Sequence, residues 1–386
     1  MKKLLIIAVA VMAIFAMSVP AMAAGPSPSS YTFEMAARML TDIGWDQQSA
    51  EQTRNGQTSV GSWFVNMPGH SYLQARFYSV DKNVGGRVEL GLRSYNGSAT
   101  TSLRYAYGYW RVGNCRILAG QTDNWFGSLA YHVRQYVGLN ESAHLLLFGW
   151  GFLWPGRVPQ VQFTYNTEQW GVQFALEQPS SASDTFWEGT IIPAATQDFY
   201  YQVPRMSLTF MFKFGGFMTH PGVMWSQHQY EQGDNLGFGE NWDTWAFVLP
   251  IKYTAGAFTL KFQGHYGQNF WGEIPFYTAD TTAPTVNASG EVEDTIIYGG
   301  VLAGEYTIGK IMITGGFGYE NFQNDQWSVN GDDTISRWGA FIAVPYQFTK
   351  NFGVHPEFSY YDYDNNSNGT DAGNEWLLGV QFRFIF

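Results

Sequence analysis

The side chains best placed to do chemistry are arginines and lysines that recur at alternate positions within apolar stretches. Successive side chains of a β-strand point to opposite faces, so these cations share the face opposite the aliphatic and aromatic residues. A row of cations along a water-filled passage attracts anions, and arginine binds carboxylates with bidentate geometry. The candidate pore-lining, anion-selecting residues are Arg76, Arg87, Arg93, Arg104, Arg116, Arg205, Lys261, Arg337 and Arg383.

Fewer acidic side chains share this inward face, namely Glu89, Glu177, Glu320, Glu357 and Glu375. Most other acids lie in predicted outer loops, so a chain of net charge −11 is expected to have a basic interior. An alternative stays open, in which the arginines pair with inward glutamates and stabilise the wall. Because Glu89 alone cannot neutralise the arginines of its neighbouring strands, the anion-attracting interpretation is favoured.

One stretch has the spacing of a calcium-binding loop, with oxygen ligands at Asp364, Asn366, Asn368 and Glu375. Oxygen donors of this kind suit a hard cation. Strands rather than helices are predicted on both sides, and asparagine-rich hairpin loops produce the same spacing by chance. The sequence therefore leaves calcium binding open, and we assign neither a metal nor a cofactor.

The elements that must position these side chains are β-strands. In the last predicted strand, Trp376, Leu378 and Val380 share one face, while Glu375 and Gln381 share the other. Aromatic residues make up 18% of the chain and charged residues only 14%, against about 25% charged residues in soluble domains. A mean hydropathy of −0.19 excludes a bundle of membrane helices, and a pI near 5.0 disfavours nucleic acid as a partner.

Counting these segments gives about sixteen strands between residues 58 and 386, the first two beginning near Ser59 and His70, with short and long connections in alternation. The predicted short turns fall near residues 81–85, 112–114, 166–168, 215–216, 254–256, 307–309 and 349–351. Short periplasmic turns and long outer loops are typical of bacterial outer-membrane barrels. We therefore predict an all-β fold, a transmembrane antiparallel β-barrel surrounded by outer-membrane lipids including lipopolysaccharide.

The N-terminal residues predict export. Lys2 and Lys3 precede an apolar run, and the small-residue pattern at 21–23 predicts a signal peptide over 1–23 that is cleaved after Ala23. Residues 24–57 are expected to form a periplasmic segment with one short amphipathic helix over 31–45. The terminal Phe386, preceded by alternating apolar residues, is typical of outer-membrane barrels.

The third outer connection, over residues 123–156, is the longest in the chain and is rich in aromatic residues. Loops of this length without secondary structure are usually functional or disordered. An aromatic loop in water is unfavourable, so we expect this loop to fold into the lumen and narrow the pore. The alternative is that residues 145–154 add another strand.

Three short stretches resemble the DcaP-like outer-membrane porins. They are the Arg104–Gly108 strand segment, a Leu-Ala-Gly-Gln-Thr strand end over 118–122, and Arg-Val-Pro-Gln over 157–160. The resemblance implies a trimeric diffusion porin that favours small anions such as dicarboxylates. It departs from the family at the N-terminus, where members carry a periplasmic coiled coil and this chain offers one short helix.

The expected function is passive diffusion of small hydrophilic solutes, with preference for small anions such as carboxylates, and the resemblance implies that the partner subunits are two further copies in a homotrimer. The alternatives are a barrel scaffold that encloses a partner protein, for example a cytochrome conduit, or a more specific substrate channel. The long aromatic loop favours a porin, since a scaffold needs no constriction. No outward Ser–His pair is evident in the sequence, so we predict that the protein is not an enzyme.

Overall fold

The computed structural model describes residues 31–49, 60–95, 98–130, 147, 150–178, 199–230, 241–270, 284–286, 292–327, 333–365 and 370–386. Within these ranges, sixteen antiparallel strands form a closed barrel, which confirms the predicted fold class. Each strand pairs with its sequence neighbours, and the last strand pairs with the first. In the same ranges, no helix is long and apolar enough to cross a membrane.

The strands follow one another around the barrel in chain order. They are β1 (Tyr31–Gln48), β2 (Val60–Ser79), β3 (Val84–Tyr95), β4 (Ser98–Val112), β5 (Cys115–Thr122), β6 (Val158–Asn166), β7 (Trp170–Glu177), β8 (Phe199–Phe214), β9 (Phe217–Thr219 and Gly222–Tyr230), β10 (Asn241–Ala255), β11 (Phe258–Gln268), β12 (Ile296–Ile308), β13 (Ile311–Gln323), β14 (Thr334–Ala343 and Tyr346–Thr349), β15 (Phe352–Asp362) and β16 (Asn374–Ile385). A two-stranded hairpin of Thr285–Val286 and Val292–Glu293 lies in the connection between β11 and β12.

Alternation of apolar and polar residues sets which side chains face outward. On β16, Leu378 is 54% exposed, whereas Glu375 and Gln381 are 1% and 3% exposed. A barrel that faces lipid outside and water inside requires this parity. The aliphatic and aromatic positions therefore form the outer surface, and the polar positions face the lumen.

All seven predicted short connections are confirmed, and they lie at one end of the barrel, which we call the short-turn end. Gly215 and Gly256 each adopt a φ of +56° in two-residue turns. An added Cβ would meet no atom at either position, so the backbone conformation alone favours glycine there.

The helix predicted over residues 31–45 is wrong, because these residues lie in β1. This strand pairs with β2 from Tyr31 to Gln48 and with β16 from Arg38 to Gln48. Leu40, Asp42 and Asp46 on its inward face are buried, whereas Ile43 faces outward. Barrel closure explains the difference, since without β1 the edges of β2 and β16 would have no partners. The barrel therefore begins at Tyr31 rather than near residue 58. The predicted signal peptide lies outside the described residues.

A second correction concerns the strands predicted to begin near Ser59 and His70. They form the single strand β2, whose pairing with β3 shifts register between Met67 and Ser71, next to Pro68. Proline has no N–H to donate to the ladder, so a bulge accommodates it within one continuous strand. The total of sixteen was right because β1 replaces the strand lost by this merger.

Candidate functional site

The third loop folds into the lumen. It is described at residues 123–130, 147 and 150–157, and these residues form none of the barrel strands, which excludes the extra strand within this part of the loop. Phe126, Phe152 and Leu153 are completely buried. Trp150 packs against Tyr361 of β15, with ring centroids 4.9 Å apart. The aromatic side chains of the loop therefore pack within the barrel rather than in water.

Polar side chains of the opposite strands satisfy the backbone of the loop. The Gly151 N–H donates to Glu320 Oε2 at 2.6 Å, and the Leu153 N–H donates to Gln263 Oε1 at 2.7 Å. The amide of Gln263 in turn donates to the Gly127 carbonyl at 3.0 Å. A buried backbone group without a partner is costly, so these inward polar residues fix the path of the loop.

The base of the loop is held by one buried ion pair. Arg205 donates through Nη2 to Glu177 Oε2 at 2.6 Å and to the Pro155 carbonyl at 3.1 Å. Glu177 also accepts hydrogen bonds from Asn124 Nδ2 and Ser207 Oγ, each at 2.6 Å. Both ends of the loop are thus joined to β7 and β8 through one carboxylate.

A glycine on β13 allows the loop to approach the barrel wall. A Cβ added at Gly318 would lie 1.8 Å from the Trp150 carbonyl oxygen, which no side chain can tolerate. The loop backbone therefore rests directly on the strand. We call the inward faces of β7–β15 the covered wall, because the described part of the loop lies against them.

The inward faces of β16 and β1–β5 form what we call the arginine wall, and β6 lies between the two walls. Arg76 on β2 lies opposite Arg87 on β3, and Arg111 on β4 lies opposite Arg116 on β5. The cations extend from Arg93 towards the long-loop end to Arg111 and Arg116 at the short-turn end. The full set is Arg38, Arg76, Arg87, Arg93, Arg104, Arg111, Arg116 and Arg383.

Glu89 partly neutralises this wall. It is completely buried and pairs with Arg87 Nη2 and, at 2.6 Å, with Arg104 Nε. The Arg87 guanidinium also stacks 3.8 Å from the Tyr105 ring centroid. Pairing with inward glutamates is therefore present here, but one carboxylate shared by two arginines leaves a net positive charge.

Three of the predicted site residues lie on the covered wall instead. Arg205 and Lys261 are 1% and 5% exposed, and Lys261 Nζ lies 2.5 Å from Glu305 Oε1 on β12. Their charges are matched by carboxylates on the covered wall, so their geometry argues against a role in selecting anions. Arg337 also belongs to this wall, opposite Glu320 in register and 5.4 Å from the Phe322 ring.

Sequence reasoning missed Arg38 and Arg111. Arg38 donates through Nε to the His70 carbonyl at 2.8 Å and lies 4.7 Å from the Tyr72 ring. It escaped notice because its segment was interpreted as a helix. Arg111 follows the inward parity of β4, so alternation counted up to the turn could have found it.

The calcium-like loop is only partly described, since Asn366 and Asn368 lie outside the described residues. Asp364 Oδ2 accepts a hydrogen bond from the Ser336 N–H at 2.9 Å, and Glu375 Oε2 accepts one from the Tyr363 hydroxyl at 2.9 Å. Burial, with the nearby Glu375 carboxylate, raises the pKa of Tyr363 well above its ordinary value, so this hydroxyl remains a donor. No cluster of three metal-ligating side chains occurs among the described residues.

Comparison with solved structures identifies similar barrels. The outer membrane channel DcaP of Acinetobacter baumannii has a TM-score of 0.65 at 13% identity, over 95% of this chain and 100% of that chain. An anion-selective porin from Comamonas acidovorans has a TM-score of 0.58 at 10% identity, over 92% of this chain and 100% of that one. OmpT of Vibrio cholerae in a trimer form has a TM-score of 0.55 at 13% identity, over 92% and 100%.

No family model matches this chain, and no curated protein matches its sequence. At identities of 10–13% the structural similarity shows the fold alone. The chain shares the barrel fold of outer-membrane porins, and the suspected likeness to DcaP is confirmed at the level of structure.

Proposed function

We propose that this protein is an outer-membrane porin through which small hydrophilic solutes diffuse passively, with preference for anions such as carboxylates. One observation carries the proposal. The described part of the third loop packs on the covered wall, while the arginine wall faces the lumen on the other side. Solutes that pass beside the loop therefore meet the arginines.

The charges on the arginine wall support anion preference. Its eight arginines outnumber its inward carboxylates, which are Glu34, Asp42, Asp46, Glu89 and Glu375. A cleft lined with one sign of charge and bounded by low-dielectric walls concentrates counter-ions several-fold. Most of the other acids belong to the outer loops predicted from the sequence, which accounts for the net charge of −11 of the whole chain.

Tyrosines interleave with the arginines and hold their guanidinium planes. Arg38 lies over Tyr72, Arg87 over Tyr105, and Arg111 6.0 Å from the Tyr109 ring. Stacking of this kind orients a guanidinium while leaving N–H donors at its edge for a passing carboxylate. We infer a path of weak, successive contacts, as passive diffusion requires.

The fold also supports a location and an orientation. The structural neighbours are outer-membrane proteins, which supports an outer-membrane location for this chain. By analogy with such barrels, we place the short-turn end in the periplasm and the outward apolar face in lipid that includes lipopolysaccharide. The alternative of a scaffold around a partner protein is disfavoured, because the third loop occupies the lumen that a partner would need.

A homotrimer remains part of the proposal. Gly86, Gly108 and Ala119 lie in register on the outward faces of β3, β4 and β5. The Phe77 ring covers Gly86, but Gly108 and Ala119 add little bulk to this face, so a second barrel can approach closely there. The trimer form of the OmpT barrel supports the same assembly by analogy. Molar mass in detergent, measured by light scattering, tests this state directly.

Bilayer electrophysiology tests the main proposal. Purified protein in a planar bilayer under a KCl gradient should conduct. Its reversal potential should be shifted from zero towards the equilibrium potential of chloride. Absent conductance or a cation-side reversal potential contradicts it. Succinate flux into proteoliposomes that rises linearly with concentration supports diffusion, whereas saturation at low concentration favours the more specific channel.

A further inference from the structure

A cavity of about 330 Å³ lies between the third loop and the barrel wall at the short-turn end. Arg111 and Arg116 line it from the β4–β5 hairpin, Thr164 and Asn166 from β6, and Trp125 from the third loop. Solute that has passed beside the loop can enter this cavity before it leaves the barrel.

The charge in this cavity is unbalanced. Arg111 and Arg116 lie directly opposite each other in register, and none of the described residues that line the cavity is a carboxylate. The Nε atom of Arg116 is buried without a hydrogen-bond partner among the described residues. Two guanidinium groups held side by side repel each other, and a bound anion removes that repulsion. Arg87 and Arg104 differ from this pair, because they share the Glu89 carboxylate.

The other lining residues add donors and one aromatic face. Thr164 Oγ1 accepts a hydrogen bond from Gln173 Nε2 at 3.2 Å, so its own proton can be donated into the cavity. The backbone N–H of Trp125 donates to Gln173 Oε1 at 2.6 Å, and its indole ring stacks on the His220 ring with centroids 5.5 Å apart. Trp125 is thereby fixed as the loop-side boundary of the cavity.

We propose that Arg111 and Arg116 form a subsite for a doubly charged phosphate group, carried by inorganic phosphate or by a phosphate monoester. A dianion balances the two guanidiniums, whereas a monocarboxylate leaves one charge uncompensated. Phosphate also offers enough oxygens for both guanidiniums and the Thr164 hydroxyl. The inference rests on the proposed function only because solutes reach the cavity through the channel.

Isothermal titration of the purified full-length protein with sodium phosphate at pH 8 tests the subsite. We expect binding to the wild type and at least tenfold weaker binding to Arg111→Gln/Arg116→Gln. The charge-matched control Lys82→Gln/Lys310→Gln, on exposed turns at the same end, should bind as the wild type does. Absent wild-type binding, or equal loss in both double variants, overturns the subsite. Acetate binding as tight as phosphate overturns the preference for a dianion.

Phenyl phosphate separates the two sources of the phosphate group. Tighter binding than phosphate, with the difference lost in Trp125→Ala, identifies an ester whose organic part contacts the indole. Equal affinities identify the free anion. Heat-modifiable gel mobility confirms that each variant is folded. If the channel is anion-selective but the protein does not bind phosphate, the subsite alone is overturned. If the protein binds phosphate but does not conduct, the porin proposal alone is overturned.

Discussion

The covered wall and the arginine wall use charged residues in opposite ways. On the covered wall, Arg205 and Lys261 are buried and each is matched by one carboxylate. On the arginine wall, Arg87 and Arg104 share Glu89, while Arg111 and Arg116 face each other. The matched Arg205–Glu177 pair holds the loop in place, whereas the excess of arginines over carboxylates on the arginine wall leaves a net positive charge beside the lumen. Basic residues at the same inward parity therefore stabilise the structure on one side and, in the function we propose, attract anions on the other.

This difference depends on where the third loop packs. Buried ion pairs are common where backbone and side chains exclude water, because an isolated charge there is costly. Where water fills the lumen, an arginine can keep its charge without a protein partner.

The largest effect is expected from Glu177→Ala on the covered wall. Removal of this carboxylate leaves Arg205 buried without its charge partner and releases Asn124, so we expect a loss of about 3–5 kcal/mol of stability. Urea unfolding in detergent measures it. Glu168→Ala, in an exposed short turn, is the control and should lose little. Equal losses in both variants would contradict a role for Glu177 in holding the loop.

Gly318→Val should lift the loop from the covered wall. The new Cβ would lie 1.8 Å from the Trp150 carbonyl oxygen, and such overpacking costs about 1–3 kcal/mol. We expect lower stability and higher single-channel conductance. Gly304→Val is the matched control, since the nearest atom to its Cβ is Phe258 Cε2 at 3.9 Å. If both variants conduct like the wild type, the loop does not set the constriction.

The sequence predicts features of each wall that depend on residues close together in the chain, and it does not predict features that depend on residues far apart. Alternation predicted the inward parity of Arg76 and Arg87, because parity is a local property of a strand. It could not show that Arg205 is buried under Pro155, fifty residues away in the chain, since that contact depends on the path of the loop. It also missed Arg38, because pairing with β2 and β16, which the local pattern does not show, makes the segment around it a strand.

On the arginine wall, Glu89→Gln should increase anion preference. The substitution removes the carboxylate that Arg87 and Arg104 share, which adds one net positive charge beside the lumen. The interaction of one wall charge with an ion in the lumen, screened by salt, contributes about 1 kcal/mol, which corresponds to roughly a fivefold rise in the anion-to-cation permeability ratio. Reversal potentials measure the ratio. Glu168→Gln, outside the lumen, controls for net charge. An equal shift of the reversal potential in that variant would contradict a specific effect of Glu89 on anion preference.

The smallest effect on the permeability ratio is expected when one exposed cation is removed from either wall at the same end of the barrel. Arg76 on β2 and Lys213 on β8 both lie on inward positions close to a short turn, and both are exposed. If solutes follow the arginine wall, Arg76→Gln should lower the permeability ratio by about twofold, and Lys213→Gln should lower it less. The comparison removes one positive charge in each case, so net charge cannot explain a difference. Equal falls would mean that anions do not distinguish the two walls at this depth, and the path would then lie along the centre of the lumen.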